Sequence, residues 1–326
     1  MSLALELPRL ETALRLPTQD ERQQLLHGLL QPQARIDSKY FYDDLGCELF
    51  TNICQLDEYY PTRTEARIFA ENRDAIAAQL PRNLQWIDLG CGDCGKTLQW
   101  LNVLQPARVI GVDIAGEFLQ SSMIAVAQQH PQLECIGVVN DFTQHLDLHD
   151  LLAERPGNPP VFFYPGSSIG NFEPRAAMRF LRRIRAHCGE HGRLLVGADL
   201  IKPKAILEAA YDDARGVTAA FNLNVLNVVN RELDADFQPE RFRHFAHFDA
   251  AHRRVEMHLV AKEKHSVSLG RHTRRYFGTD EHILTEYSHK YSLDEFRALL
   301  AASGLRCSHY WTDPQDWFGV FLAEPA

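Results

Sequence analysis

Trp86-Ile87-Asp88-Leu89-Gly90-Cys91-Gly92-Asp93-Cys94-Gly95-Lys96-Thr97 runs from an apolar stretch through three glycines into an amphipathic pattern. The order reads as strand, tight turn, helix. Glycines in such a turn let bare backbone approach a ligand at the helix N-terminus, where any side chain would fill the ligand's space. A glycine loop alone is a weak signal. A second apolar run, Val109-Ile110-Gly111-Val112-Asp113, adds weight because it ends in a carboxylate 23 residues beyond Gly90, the place for an acid that grips a ribose diol.

Gly90, Gly92 and Gly95 satisfy the G-x-G-x-x-G spacing of dinucleotide sites, so an NAD-dependent oxidoreductase stays open on spacing alone. Asp88 counts against it. A carboxylate just before the first glycine would repel a pyrophosphate, whereas it could receive the ammonium of S-adenosyl-L-methionine. A third run, Ile136-Gly137-Val138-Val139, leads into Asn140-Asp141-Phe142, a polar acceptor and an apolar face suited to adenine. Taken alone Asp141 could be a helix cap or turn residue. Glycine loop, ribose acid and Asp-Phe in that order match a Rossmann-like methyltransferase, and a cofactor-binding module without catalysis is the remaining rival.

The chain has 326 residues, a formal net charge of −9 and no basic tract longer than the Arg182-Arg183 and Arg253-Arg254 pairs. Phosphate contacts need clustered Lys and Arg, so extended nucleic-acid binding is disfavoured, no nucleic-acid partner is expected and a small zwitterion fits better. Met1 to Arg15 mixes Glu6, Arg9 and Glu11 into its leucines, unlike a secretory signal, and no apolar run is long enough to span a bilayer. A cytoplasmic monomer is expected. Seven cysteines from Cys47 to Cys307 suggest no disulfide framework. Cys91-x-x-Cys94 sits inside the glycine loop without a second pair or His partner at zinc spacing, so no metal is assigned to it.

Strand-helix alternation runs from about 63 to 199, with strands ending near Leu89, Asp113, Asn140, Tyr164 and Asp199. This predicts a parallel doubly wound α/β sheet with ligands at the carboxyl ends of its strands. Residues 1–35 read as helical. Tyr40, Tyr42, Tyr59 and Tyr60 bracket one short helix, and Pro61 places the next helix at Thr62 to Gln79. These tyrosines are either packing groups at a domain edge or cover for a cofactor and an amine. Pro165-Gly166-Ser167-Ser168-Ile169-Gly170-Asn171-Phe172 is a small-residue loop placed to meet a substrate, although Asn171 could simply cap the helix from Glu173 to His187. Residues 200–289 break the alternation and carry a His-rich stretch from His244 to His265. It contains no H-E-x-x-H and is read as surface or core rather than metal-binding. Leu284 to Tyr291 reads as a strand whose period of two sends Glu286 and Ser288 to one face. After a helix from Leu293 to Ser303, Cys307 to Trp311 and Trp317 to Ala323 form an antiparallel hairpin at the sheet edge.

On the segments FYDDLG, EYYPTRTEA, SSIGNF, YDDARGVTAAFNLNVL, NRELDADF and LTEYSHKY, the chain resembles the L-histidine Nα-methyltransferases that make hercynine on the way to ergothioneine. The resemblance covers Tyr40 to the C-terminus. It implies a class I S-adenosyl-L-methionine-dependent methyltransferase core at 63–199 plus 290–326, with a smaller α+β substrate-binding domain at 1–62 plus 200–289. By position, Gly90, Lys96, Asp113, Asp141 and Phe142 match cofactor contacts, while Tyr42, Tyr59, Asn171, Tyr211, Glu286 and Ser288 match the amino-acid pocket. The resemblance implies that Asn171 and Tyr211 hold the carboxylate and α-amine region, that Glu286 and Ser288 bind the imidazole, and that Tyr42 with Asn171 orients the reacting amine. A carboxylate and a hydroxyl two apart on a strand can indeed hydrogen-bond both ring nitrogens of one imidazole. The sequence departs from the family at Cys91, Cys94 and Gly95 in the loop and at Tyr287 and His289 beside the imidazole pair. Relatives of the family methylate modified tryptophans, and the retained Glu286-x-Ser288 argues for histidine.

Overall fold

A computed structural model describes residues 8–12 and 19–326. Its strands are β1 (Arg9–Thr12), β2 (Ala34–Arg35), β3 (Gln85–Leu89), β4 (Arg108–Asp113), β5 (Glu134–Val139), β6 (Pro160–Tyr164) and β7 (Arg193–Asp199). They continue with β8 (Phe242–Asp249), β9 (Arg254–Ala261), β10 (His265–Ser268), β11 (Arg274–Phe277), β12 (His282–His289), β13 (Leu305–Thr312) and β14 (Phe318–Pro325). The helices are α1 (Gln19–Leu30), α2 (Asp44–Ile53), α3 (Tyr60–Ala77), α4 (Gly95–Leu104), α5 (Gly116–Gln129) and α6 (His149–Ala153). The rest are α7 (Pro174–His187), α8 (Lys204–Tyr211), α9 (Val217–Leu233) and α10 (Leu293–Ala302). The chain divides into two compact units, one holding β1, residues 64–200 and 291–326, the other residues 19–63 and 201–290.

The first unit is built on an eight-stranded sheet in the order β1-β5-β4-β3-β6-β7-β14-β13. Its strands from β1 to β7 pair in parallel, and the β13–β14 hairpin closes the far side by antiparallel pairing to β7. β3 is buried along its whole length, so alternate residues feed two cores. Ile87 and Leu89 join Phe180 of α7 and Phe296 of α10 on one face; Trp86 joins Phe69 of α3, Trp100 of α4 and Met123 of α5 on the other. Neighbours diverge from β3 toward β4 and β5 on one side and toward β6 and β7 on the other. The sheet's switch point therefore lies between β3 and β6, where open α/β sheets bind ligands. The expected strand ends hold to within a residue.

Two expectations are corrected. Residues 1–35 do not form one helical region belonging with 1–62. Arg9–Thr12 is a strand in parallel register with β5, Leu10 opposite Gly137, and only Gln19–Leu30 is helical in the described part. An edge strand is held by backbone pairing over a glycine, which leucine spacing does not reveal; a Cβ at Gly137 would stand 3.1 Å from the Leu10 side chain. The second correction concerns Tyr60, which opens α3 rather than ending the preceding segment. Proline in a first helical turn loses nothing, because the N–H it lacks there has no intrahelical partner.

The second unit carries a four-stranded sheet, β2-β12-β9-β8, and the β10–β11 pair. Asp43 ties distant motif segments together here. Its carboxylate accepts from Gly46 N at 2.9 Å, capping α2, and from Asn224 of α9 at 2.8 Å, and it pairs with Arg231. Gly46 is required, since a Cβ there would stand 1.7 Å from the Phe41 carbonyl oxygen. Asp213 similarly accepts from Val217 N and Thr218 N at the start of α9. Fully buried Asn222 donates to the His258 carbonyl at 3.0 Å and accepts from Thr285 Oγ1 at 2.7 Å, pinning α9 onto the sheet.

Candidate active site

Of the cofactor residues expected in the first unit, Gly90, Asp113, Asp141 and Phe142 stand at or just beyond the carboxyl ends of sheet strands, and Lys96 lies in the first turn of α4. Gly90, Gly92 and Cys94 all have positive φ, so the turn after β3 winds through three left-handed residues, two of them glycines. A Cβ at Gly92 would meet nothing within 4 Å, and one at Gly90 would reach only the Phe142 ring. Asp113 closes β4. Its two oxygens accept from Gly92 N and Ala115 N, both at 3.0 Å, which orients the carboxylate and leaves a lone pair on each oxygen for a diol. Asp141 follows β5, buried, and is held by Thr143. The Phe142 ring packs edge-on to Tyr164.

Two orphaned polar atoms lie among these residues. Asp88 is buried, its Oδ2 accepting from Thr97 Oγ1 at 2.6 Å, and Thr97 in turn accepts from Trp86 Nε1 at 2.8 Å. Asp88 Oδ1 has no partner, and burial pushes the Asp88 pKa up to about 7. Asn140 Nδ2, beside Asp141, is likewise buried and unpartnered. An ammonium at the first and a heteroaromatic nitrogen at the second would satisfy both, so the residues fit the methionyl and adenine ends of S-adenosyl-L-methionine.

Lys96, expected to contact cofactor, is engaged by a residue the sequence did not single out. Glu65 of α3 is fully buried, accepts from Lys96 Nζ at 2.6 Å through one oxygen and from Gly166 N at 2.7 Å through the other. It thus joins the first turn of α4 to the loop after β6. In that loop Ser167 Oγ accepts from Asp199 N at 2.8 Å, and a 3-10 turn at Ser168–Asn171 ends in Asn171. α7 begins at Pro174 with Glu173 as its N-cap, so Asn171 is not the cap of that helix. Its amide makes no hydrogen bond within the described residues.

The loop cysteines are packing groups. Cys91 and Cys94 are buried free thiols, Cys94 Sγ lying 3.9 Å from Met123 Sδ. Hydrogen bonding with Cys94 and burial raise the Cys91 thiol well above its ordinary pKa. They explain Gly111 in β4, where a Cβ would stand 2.7 Å from Met123 Sδ and 3.1 Å from Cys91 Sγ.

In the second unit Glu286 and Ser288 share one face of β12. A bulge decides which face: Leu284 pairs with His258, then Glu286 with Met257, leaving Thr285 as the extra residue. The bulge shifts the phase of the strand, so Glu286 and Ser288 leave the face of Leu284, and Thr285, held by Asn222, fixes the shift. Tyr287 and His289 consequently point to the opposite face from the pair, with the Arg254 guanidinium 3.5 Å over the Tyr287 ring. Glu286 is half-buried and makes no hydrogen bond or ion pair with any described residue. Burial pushes its pKa up to about 7, against the opposing pull of Lys290. Ser288 Oγ lies 2.7 Å from Tyr211 Oη at the end of α8, and both oxygens accept from the buried ammonium of Lys290, at 2.8 and 2.9 Å. Tyr59 packs edge-on against Tyr211, and Tyr42 against Phe221. Lys290 was missed by sequence reasoning, although its position two beyond Ser288 continues the same period.

Among the described residues two groups could approach a metal, Asp147-His149-His187 and His247-Glu256-His258. Both nitrogens of His187 are taken, one by the Arg183 carbonyl and one by Leu148 N, leaving no lone pair. Glu256 is gripped by the Arg254 guanidinium at 2.7 and 2.8 Å and by His258 Nε2 at 3.0 Å. No described helix is long and apolar enough to cross a membrane.

The family described as histidine-specific methyltransferase, SAM-dependent, matches residues 21–325. The chain is 38% identical over 308 residues to the histidine N-alpha-methyltransferase of Mycolicibacterium smegmatis, covering 93% of this chain and 94% of that protein. It is 37% identical over the same length to that of Mycobacterium tuberculosis, with the same coverage. Over 209 residues, 61% of this chain and 27% of the other, it is 29% identical to ergothioneine biosynthesis protein 1 of Schizosaccharomyces pombe. The sheet order, the glycine turn bonded to Asp113 and the extent of these matches agree, and the chain belongs to the family of histidine-specific, S-adenosylmethionine-dependent methyltransferases.

Proposed function

We propose that the protein transfers methyl groups from S-adenosyl-L-methionine to the α-amino group of L-histidine, in succession, giving Nα,Nα,Nα-trimethylhistidine (hercynine) for ergothioneine biosynthesis. The observation that carries this is Glu286: a carboxylate without a hydrogen bond or ion pair among the described residues, next but one to a hydroxyl on the same strand face. That pair offers an acceptor and a hydroxyl to the two nitrogens of an imidazole. A site built this way rejects apolar side chains of similar shape, because its own polar groups would be left unpaired. The relatives named for histidine methylation support the same substrate.

Bound S-adenosyl-L-methionine supplies a methyl group on a sulfonium, an electrophile that needs a neutral amine in line with it. The residues that would hold it are Asp88 for the methionyl ammonium, Gly90 and Gly92 as bare backbone, Asp113 for the ribose diol, and Asp141 with Phe142 for adenine; Lys96 completes the set from α4. Positioning the amine is the main task left to the chain. A free α-ammonium has a pKa near ~8, so giving up its proton at neutral pH costs about a kcal/mol and demands no strong base. Asn171 of the first unit is assigned to the amine and carboxylate end of the substrate, and Tyr42, Tyr59 and Tyr211 of the second unit flank it, with Tyr42 steadying the lone pair. After the third transfer no lone pair remains, and tyrosine faces tolerate the resulting cation. The net charge of −9 and the lack of long basic tracts support a small-molecule enzyme without a nucleic-acid partner.

Calorimetry with S-adenosylhomocysteine bound tests the imidazole assignment. L-histidine should bind the wild-type protein, and Glu286→Ala should lose roughly 10- to 100-fold in affinity, the value of one charge-assisted hydrogen bond. Equal affinity in the two proteins would remove Glu286 from the site.

A further inference from the structure

Lys290 is buried, and an ammonium out of water needs partners for its hydrogens. Two of its partners are the Tyr211 and Ser288 oxygens, which also bond to each other at 2.7 Å. Its Nζ lies 4.7 Å from the centre of the Tyr211 ring. An ammonium only donates, so each hydroxyl oxygen accepts from Lys290. The bond between the two hydroxyls then uses one hydrogen, from one of them. A phenol is a far stronger acid than an aliphatic alcohol, and a cation on its oxygen strengthens it further, so the tyrosine is the better donor. Ser288 Oγ then accepts twice, from Lys290 and from Tyr211, and both its lone pairs are filled.

We propose that Lys290 is a positioning residue for side-chain specificity: by donating to Tyr211 and Ser288 together it fixes Ser288 as a hydrogen-bond donor toward the ligand, so that Ser288 and Glu286 select a neutral imidazole. The proposal rests on the histidine reading above. One donor beside one acceptor complements a ring with one bare nitrogen and one N–H; an imidazolium, with two N–H groups, would set a hydrogen against the serine hydrogen. Without Lys290 the serine could reverse its bond to Tyr211 and offer a lone pair instead, and the site would no longer demand a ring acceptor.

Two histidine analogues separate the halves of the site. A thiazolylalanine keeps a ring acceptor and has no ring N–H; a pyrrolylalanine keeps a ring N–H and has no acceptor. Steady-state α-amine methylation by the full chain, with both regioisomers of each analogue, gives kcat and KM. Wild type should prefer histidine over either analogue by roughly 10- to 100-fold in kcat/KM. In Lys290→Met the preference over pyrrolylalanine should fall to within about threefold, the preference over thiazolylalanine should persist, and the loss on histidine should lie in KM rather than kcat. Lys290→Arg, which retains donors, should keep both preferences, and adding Lys290→Met to Ser288→Ala should change the pyrrolylalanine ratio no further. Lys290→Arg keeps the proposal exposed if Lys290→Met does not fold, since loss of either preference in it would count against the proposal. Preferences that are unchanged in Lys290→Met, or that fall together, would overturn it. If wild type methylates no α-amine of histidine, the underlying reading fails, which is visible before any variant is compared.

Discussion

At the carboxyl ends of β3, β4 and β5 the groups offered to a ligand are turns of bare backbone and single acids, Asp88, Asp113 and Asp141, each steadied by backbone or hydroxyl donors. On β12 the groups are side chains on one strand face, Glu286 and Ser288, turned there by a bulge at Thr285 and tied by Lys290 to Tyr211. On the proposed function the first arrangement would read a scaffold common to many ligands, a diol and an ammonium, and the second the arrangement of hydrogens on one ring. Cofactor affinity and substrate choice would then be separate properties, carried by different units of the chain.

The largest expected effect lies on the cofactor side. Asp113→Ala deletes a charged acceptor for two hydroxyls, and removing about 3 to 4 kcal/mol should weaken S-adenosylhomocysteine binding by roughly 100- to 1000-fold in calorimetry. Glu286→Ala should leave that affinity unchanged. If both substitutions weakened the cofactor alike, the separation would be broken.

Next comes pH. The Glu286 carboxyl titrates near 7, raised by burial, so it is protonated as pH falls below that value and can no longer serve as a charged acceptor. Histidine KM should rise as pH drops from 8 through about 6, on top of the loss of neutral imidazole, and the added rise should vanish in Glu286→Gln. The same shift has a stability consequence. Folded Glu286 holds its proton more tightly than the unfolded chain, whose carboxyl titrates near 4.5, so its contribution is fully present below about 4.5 and is lost as pH rises through 7. The Tm of ligand-free Glu286→Gln should therefore gain on wild type between pH 5 and pH 8. A gap independent of pH would contradict the raised pKa.

The smallest effect sharpens the amine end. Tyr42→Phe should slow the second and third transfers more than the first by a few-fold, so mono- and dimethylhistidine accumulate in a time course. A product ratio matching wild type would remove Tyr42 from the orienting role.

Much of the first unit was legible because its ligand groups stand at strand ends, where an apolar run stops and a glycine or acid begins. Glu65 was not: a carboxylate within α3 gives no sign that it will bond Lys96 of α4 and Gly166 N of a loop, both far away in sequence. β1 escaped for a related reason, since edge pairing leaves no periodicity of its own. In the second unit spacing put Glu286 and Ser288 on one face, but the bulge that chooses which face depends on Asn222, more than sixty residues earlier. That the motif residues Asp43 and Asp213 anchor helices while Tyr42 packs on Phe221 and Tyr211 bonds to Ser288 could be told only from contacts.

The most direct test is mass spectrometry of the purified protein incubated with S-adenosyl-L-methionine and all twenty amino acids together. The account predicts that histidine alone gains methyl groups, up to three on its α-nitrogen, and that Glu286→Ala loses this preference while still binding S-adenosylhomocysteine. Methylation of another amino acid with histidine untouched would contradict it.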